Sequence, residues 1–432
     1  MQRRQFLGGA GAGLMAQSAQ RVLGANDRVN VGLIGCGGRG RYVAGLMREA
    51  PGVEFGAAAD VYLPNAERAR EWAGANARAY QDFRRLIEQK DIDAVLIATP
   101  DHWHAITTVL ACQSGKDVYV EKPLAHNVRE GRAMVAAARR YKRVVQAGMQ
   151  HRSSPHFREV EQIIQTGKLG KVHWVRVWNY ANMFPQGIGV ESDSAPPEGL
   201  DWDFYLGPAP SVPFNRKRFL VTYRWFWDYS GGYITDFGTH RFDTVQQIMG
   251  VTAPKTVAAA GGRFSLRDAG EIPDVLQVTY EYPEFVLSYE TCLLNGHGVG
   301  GRTPGMKYYN ARGAEDRPNG MAFYGTNGAL YTDRIGYEIY PEPNRPLERK
   351  QMNTTDATKL HAANFIDCVR SRNQPAADVE TGHRSTTVAH LGNIAFKIGK
   401  KLAWNAETEE FQDDGGASKL LARQARKPWD LI

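Results

Sequence analysis

The sequence predicts an α/β protein: an N-terminal Rossmann domain with a doubly wound parallel sheet, followed by an α+β domain with a large, mainly antiparallel open sheet. Three observations carry this. The apolar run Val31 to Ile34 leads straight into Gly35-x-Gly37-x-x-Gly40; short apolar runs alternate with helical periodicity from Asn30 to about Gln150; and beyond residue 151 long stretches alternate in hydropathy. Continuous apolar runs suit strands buried on both faces of a parallel sheet, whereas alternation suits strands with one face covered. The implied division is 1–25 for an N-terminal signal segment, 28–150 for the first domain and 151–432 for the second, whose last helices are expected to pack back on the first.

Within the first domain each glycine has its own task. Gly35 would permit the sharp turn after the strand, Gly37 the approach of backbone to a pyrophosphate, and Gly40 the close packing of helix on strand. Gly38 and Arg39 lie between them at a helix N-terminus, whose amides and dipole favour phosphate. A second strand, Val53 to Ala59, ends in Asp60, twenty positions after Gly40, where an acid is expected to accept hydrogen bonds from the adenosine ribose hydroxyls. That carboxylate would repel a 2′-phosphate, and Val61-Tyr62 offers no arginine beside it. NAD is therefore expected in preference to NADP.

Helices are expected over Arg41–Glu49, Pro64–Ala73, Phe83–Gln89 and Ala105–Gln113, and strands over Asp93–Thr99, Asp117–Val120 and Val144–Gly148. Ligands of such sheets gather at the carboxyl ends of the strands. Thr99, Pro100, His102, His104, Glu121, Lys122 and Gln150 are thus candidate cofactor contacts, and Arg152 a candidate substrate contact. In the second domain Lys171–Tyr180, Val275–Tyr282, Val286–Thr291 and Met321–Asp333 read as strands, the last folded at Asn327-Gly328 into a tight hairpin. Met183–Phe214, rich in Pro, Gly and aromatic residues, reads as an ordered loop over the cleft. His361–Arg370 and His383–Lys400 read as helices.

Composition narrows the function classes. With 43% hydrophobic and 23% charged residues over 432 positions, and no apolar run long enough to cross a bilayer, the chain is expected to be globular and not an integral membrane protein. Its formal charge of +7 includes Arg3, Arg4 and Arg21, and the other basic residues are scattered, which argues against a nucleic-acid partner. The four cysteines form no C-x-x-C pair and are expected to be small thiols of the interior. Residues 1 to about 25, with paired Arg3-Arg4, a weakly apolar core and no acid before Asp27, resemble a twin-arginine export signal. Periplasmic export of a folded protein would mean that NAD is loaded beforehand and held tightly.

Lys122 is the first catalytic candidate, since it follows a strand end where a nicotinamide would lie, and a cation there would have its pKa lowered. Asp236 and His240 are i, i+4 on an expected helix, with Asp243 continuing the stripe, so the carboxylate could fix the imidazole as part of an acid/base pair. The plainer alternatives are a strand-end surface lysine and a solvated ion pair. His102-Trp103-His104 has metal-like spacing, but no Cys or acidic cluster completes a site, and no metal is expected. Of nine tryptophans, Trp174, Trp178, Trp202, Trp225 and Trp227 fall close together. Trp225, Trp227 and Tyr229, with Tyr180, are candidates for a platform under a sugar.

Taken together, Gly35-x-Gly37-x-x-Gly40, Asp60, Pro100-Asp101-His102-Trp103-His104, Glu121-Lys122-Pro123 and Gly232 through Asp236 to His240 resemble the Gfo/Idh/MocA oxidoreductases, and the segment from His361 to Trp404 their exported bacterial branch. The resemblance covers the whole chain after the signal segment. It implies Lys122, Asp236 and His240 as the catalytic set, Glu121 and Thr99 near the nicotinamide, His104 at the domain junction, and association into a homodimer or homotetramer through the open sheet. Asp101 departs from the asparagine that relatives often carry. The expected function is NAD-dependent oxidation or reduction of a hydroxyl on a sugar, cyclitol or glycoside. The rivals are a redox-neutral glycosidase or lyase with an added base at Tyr180 or Tyr229, and a sugar-binding protein with structural NAD.

Overall fold

The computed structural model describes residues 28–299, 317–354, 356–412 and 414–430; the expected signal segment lies outside them. Six parallel strands form the first sheet in the order β3-β2-β1-β4-β5-β6. They are β1 (Val29–Ile34), β2 (Val53–Ala59), β3 (Arg78–Tyr80), β4 (Ala94–Ile97), β5 (Asp117–Val120) and β6 (Val145–Ala147). The order reverses between β1 and β4, and the crevice at such a switch point is where ligands bind. The helices between these strands are α1 (Gly38–Arg48), α2 (Leu63–Ala73), α3 (Phe83–Ile87), α4 (His104–Gln113) and α5 (Val128–Arg140). β3, only three residues with no apolar run, was not foreseeable from periodicity.

The second sheet has ten strands: β7 (Val172–Tyr180), β8 (Thr256–Gly262), β9 (Val275–Glu281), β10 (Val286–Cys292), β11 (Asn319–Gly325), β12 (Gly328–Asp333), β13 (Gly336–Pro341), β14 (Lys350–Asn353), β15 (Leu402–Asn405) and β16 (Glu410–Gln412). Every pairing is antiparallel except β7 with β10. Alternation along β7 divides the sheet. Val175 and Val177 point inward to a core shared with α6 (Pro155–Gln165), α8 (Thr239–Met249) and α10 (Val379–Ile398). On the other face Trp174 stacks on Tyr324, Arg176 pairs with Glu290, and the Tyr180 hydroxyl donates to Glu290. The hairpin falls where Asn-Gly marks it, with Gly325 opposite Gly328.

Two later segments return to the first domain. α9 (Thr358–Ser371) places Ala362, Phe365 and Ile366 against Val31, Leu33, Val43 and Met47, covering one face of the parallel sheet. Near the C-terminus Trp429 packs edge-on against Trp103 and stacks on Phe204 of α7 (Trp202–Leu206). The long loop is anchored rather than loose: Leu63 donates to Gly199, Asp201 to Val61, and the Gln81 side chain to Gly199. Among the described residues the cysteines are free thiols, with Cys36, Cys112 and Cys368 buried, and no helix is long and apolar enough to cross a membrane.

Candidate active site

A cavity of about 460 Å³ runs from the end of β2 to the start of α8. At one end Gly35 adopts φ +85°, and a Cβ there would stand 2.6 Å from the backbone of Ala98 and Thr99, so only glycine lets the turns after β1 and β4 meet. A Cβ on Gly40 would come within 2.2 Å of the Gly35 carbonyl, so this glycine serves helix packing. Gly37 and Gly38 face open space. No side chain caps α1 and no acid occupies its first turn, leaving amide donors and the positive dipole end available to an anion.

Asp60 closes this end. Its carboxylate accepts from the backbone amides of Cys36 (2.8 Å) and Tyr62 (2.9 Å); burial raises its pKa against the lowering effect of those amides. The Asn65 side chain adds a longer bond at 3.4 Å, and the carboxylate keeps acceptor capacity for a ribose hydroxyl. An uncapped helix start, open Gly37 and Gly38, and a carboxylate one strand away fit a dinucleotide. Arg39, in the first turn of α1, donates to Glu121 at 2.8 Å, tying the glycine turn to the end of β5.

The opposite end is assembled from distant segments. Lys122, just past β5, donates to the Asp236 carbonyl at 2.9 Å and to its carboxylate. Arg224 brings Nε to 3.4 Å from the other carboxylate oxygen. Burial alone would raise the pKa of Asp236, but the charges of Lys122 and Arg224 outweigh it and hold the group far below the usual carboxylate range. His240 lines the cavity and lies over His151, ring centroids 5.0 Å apart. Burial first, then Lys122 and His151, push its pKa well below the ordinary value, so the imidazole is neutral. Its Nδ1 is enclosed without a partner, which leaves Nε2 toward the cavity.

The expected Asp236–His240 hydrogen bond is not formed. Ile234–Gly238 is a π-helical turn rather than the start of an α-helix, and its wider repeat takes the two residues off a common line. Asp236 turns instead to Lys122 and Arg224. Asp243 is fully buried and holds Arg152 (2.8 Å) and Ser385 (2.8 Å) behind the site.

Thr99, Pro100, Glu121, Lys122 and Gln150 line the cavity with Gly35, Gly37, Gly38, Arg39 and Asp60. His102 and His104 do not. His102 Nε2 bonds the Tyr205 carbonyl, and His104 bridges the carbonyls of Pro123 and Thr99, so both fix walls rather than contact a ligand. Among the expected substrate contacts only Asp236 and His240 reach the cavity. Arg152 is engaged by Asp243; Tyr180 lies on the outer sheet face; Trp225 stacks on Tyr233; Trp227 lies under Lys397; and Tyr229 is sealed in an aromatic cluster. From this region Phe204, Tyr205, Phe219, Tyr223 and Arg224 line the cavity, with Arg334 from the turn after β12; Phe204 stacks on Phe83 and Phe219 meets Tyr62 edge-on, both of the first domain. Arg224 lay inside the aromatic run the sequence drew attention to, but Arg334 carries no motif. Asp101 is buried and accepts from Tyr223 (3.0 Å) and Ser230 (2.5 Å), which holds Tyr223 in the wall. No cluster that could hold a metal ion occurs among the described residues.

A parallel sheet with a glycine turn at its switch point, joined to a second domain whose π turn and following helix bring a lysine-paired carboxylate and a histidine to the same cavity, defines a two-domain dinucleotide-binding protein. Residues 29–149 match the family described as an oxidoreductase family with an NAD-binding Rossmann fold, and residues 153–285 and 312–431 match its C-terminal alpha/beta domain. The chain belongs to the Gfo/Idh/MocA oxidoreductase family. Curated relatives include the uncharacterized oxidoreductase YrbE of Bacillus subtilis, 26% identical over 59% of this chain and 64% of its own, and the myo-inositol 2-dehydrogenase of Thermotoga maritima, 24% identical over 57% and 62%. The matched stretch therefore spans less than two thirds of either relative. Levoglucosan dehydrogenase, solved with NADH and levoglucosan, shares the fold at TM-score 0.66 and 16% identity, covering 87% of this chain and 99% of its own.

Proposed function

We propose that the protein is an NAD-dependent oxidoreductase that interconverts a hydroxyl and a carbonyl on a sugar or cyclitol. The observation that carries this is the meeting of Lys122, Asp236 and neutral His240 at the end of a cavity whose other end is a glycine turn and Asp60. Bound NAD supplies the acceptor for the hydride leaving the carbinol carbon. His240 takes the hydroxyl proton as the C–H electron pair departs and the C–O bond becomes a carbonyl; its Nε2 is available for this because burial keeps the ring neutral. Lys122, fixed by Asp236, donates to the reacting oxygen and steadies its developing negative charge. Arg224 holds the other side of Asp236, so that the carboxylate keeps Lys122 in place rather than accepting a proton itself.

Asp60 favours NAD over NADP, since its charge and its amide-bound position leave no room for a 2′-phosphate. The glycosidase or lyase alternative requires a base that Tyr180 and Tyr229 do not supply, because neither lines the cavity. The relatives named inositol dehydrogenases support a polyol substrate, and the outer sheet face with Trp174 and Tyr324 is the surface we assign to subunit contact. Export through Arg3-Arg4 belongs to the same proposal and is tested by fractionating cells. The experiment for the reaction is to purify the protein without added nucleotide, identify released cofactor by mass spectrometry, and incubate with sugars and cyclitols. Formation of NADH together with a ketone product supports the assignment; a glycoside cleaved with no net change in NAD supports the redox-neutral alternative.

A further inference from the structure

One short stretch of the second domain touches both ends of the cavity. Phe219, Leu220, Val221, Tyr223 and Arg224 line it together with the glycine turn. Phe219 meets the Tyr62 ring edge-on at 5.9 Å, and Tyr62 stands two residues beyond Asp60, whose carboxylate accepts from its amide. Farther along, the Tyr223 hydroxyl donates to Asp101 of the first domain at 3.0 Å, and Arg224 brings Nε to 3.4 Å from Asp236. The stretch thus crosses from the nucleotide end to the reactive end, anchored on the first domain at each. Between the anchors, Leu220 and Val221 are 50% and 72% exposed although both line the cavity. The hydrogen bonds that Thr222 and Arg224 make to the Phe219 and Val221 carbonyls stay within the stretch. Leu220 also has φ +54°, a left-handed conformation that a residue with a Cβ keeps only where its surroundings impose it.

We propose that residues 219–224 are a gate over the dinucleotide: this strap closes on it from the second domain, and nucleotide enters and leaves only when the strap lifts. The gate rests on the NAD-dependent reading above and adds the route by which the cofactor is exchanged. A ligand that spans the cavity from Asp60 to Lys122 has to pass the strap, because the strap reaches both of those ends. Lifting it breaks the Phe219 contact on Tyr62 and the Tyr223 bond to Asp101. The bend at Leu220 is where the backbone changes at least cost, since leaving the left-handed region relieves it. Closure is favoured by occupancy, because a ligand inside the cavity takes apolar surface of Leu220 and Val221 out of water.

The test is the rate of nucleotide exchange, followed by NADH fluorescence with no substrate present. Nucleotide-free protein is mixed with rising NADH in a stopped-flow instrument, and NADH-loaded protein is chased with excess NAD. Wild-type association is expected to level off at high NADH, at the rate of strap opening, because a step that precedes or follows binding sets a ceiling. Leu220→Ala and Phe219→Ala should raise that plateau and the release rate together, each by about tenfold, the scale of one lost side-chain contact on a barrier. The dissociation constant then moves much less than either rate. Leu220 is half exposed, so its variant reports on the gate whether or not Phe219→Ala disturbs the aromatic cluster around that ring. Three results overturn the gate while leaving the oxidoreductase reading intact: association that rises in proportion to NADH without levelling, a plateau that neither variant moves, or variants that speed release alone, as the loss of a plain contact would. Absence of NADH binding to the wild type would remove that reading, and the gate with it.

Discussion

The two ends of the cavity are built by different means. The nucleotide end comes from one continuous stretch, β1-α1-β2, in which Gly35, Gly40 and Asp60 are placed by local turns and by the amides of Cys36 and Tyr62. The reactive end is assembled across the seam between domains: Lys122 from the first sheet, Arg224 from an irregular segment, Asp236 and His240 from a π turn and its helix, and Arg334 from a hairpin. One end should therefore survive perturbations that dismantle the other.

Acid should separate them most strongly. His361 bridges Ser153 and the Ala147 carbonyl, His390 reaches the Ala125 carbonyl, and His102 the Tyr205 carbonyl, so all three stitch the seam. Burial holds His361 and His390 down to about 4 and His102 to about 3. Each folded-state value lies below the free value of about 6.5, so the unfolded chain takes up protons that the folded chain refuses. Stability is complete above that pH and falls as pH drops toward 4, by about 1.4 kcal/mol per pH unit for each histidine. Thermal melts at pH 7, 6 and 5 should show a steep decline in Tm, and activity should vanish before the parallel sheet unfolds.

A single change at the reactive end should cost nearly as much. Lys122→Met is expected to lower kcat by about a thousandfold with NADH affinity little altered, as steady-state rates and fluorescence titration would show. At the nucleotide end the effect should have the opposite character. Asp60→Asn should weaken NAD by about tenfold, the value of a charge-assisted hydrogen bond, and bring NADP closer to parity while kcat holds.

How far the sequence disclosed each end follows the same division. The glycines, Asp60, Lys122, and the strands around them were legible because each is set by local pattern: an apolar run, a turn, a strand end. The Asn-Gly hairpin was legible for the same reason. His240 and Asp236 were legible as residues but not as a pair, because helical periodicity places them on one face and the π turn does not. The aromatic run misled in part: Trp174, Trp178 and Tyr180 alternate onto the outer face of β7, and Trp225, Trp227 and Tyr229 pack behind the wall, while Phe204, Phe219, Tyr223 and Arg224 form it. No local signal distinguishes an aromatic ring in the wall from one behind it. Arg334 was invisible because only the topology of the large sheet brings its turn to the cavity.

The smallest effect is expected farthest from the seam. Trp174, 37% exposed and stacked on Tyr324 at 4.6 Å, touches neither end of the cavity. Trp174→Ala should leave kcat and NAD affinity unchanged and alter monomer stability by no more than about 0.5 kcal/mol; sedimentation would reveal its effect on assembly.

The proposed reaction turns on joint action of Lys122 and His240 on a hydroxyl next to bound NAD. It is tested most directly by a single-turnover experiment: protein saturated with NAD is mixed with the best substrate of the panel, and nicotinamide reduction is followed for wild type, Lys122→Met and His240→Asn. One equivalent of NADH is expected in the wild type, slowed by about a hundredfold or more in both variants, with unchanged cofactor occupancy. Reduction at the wild-type rate in either variant would contradict it.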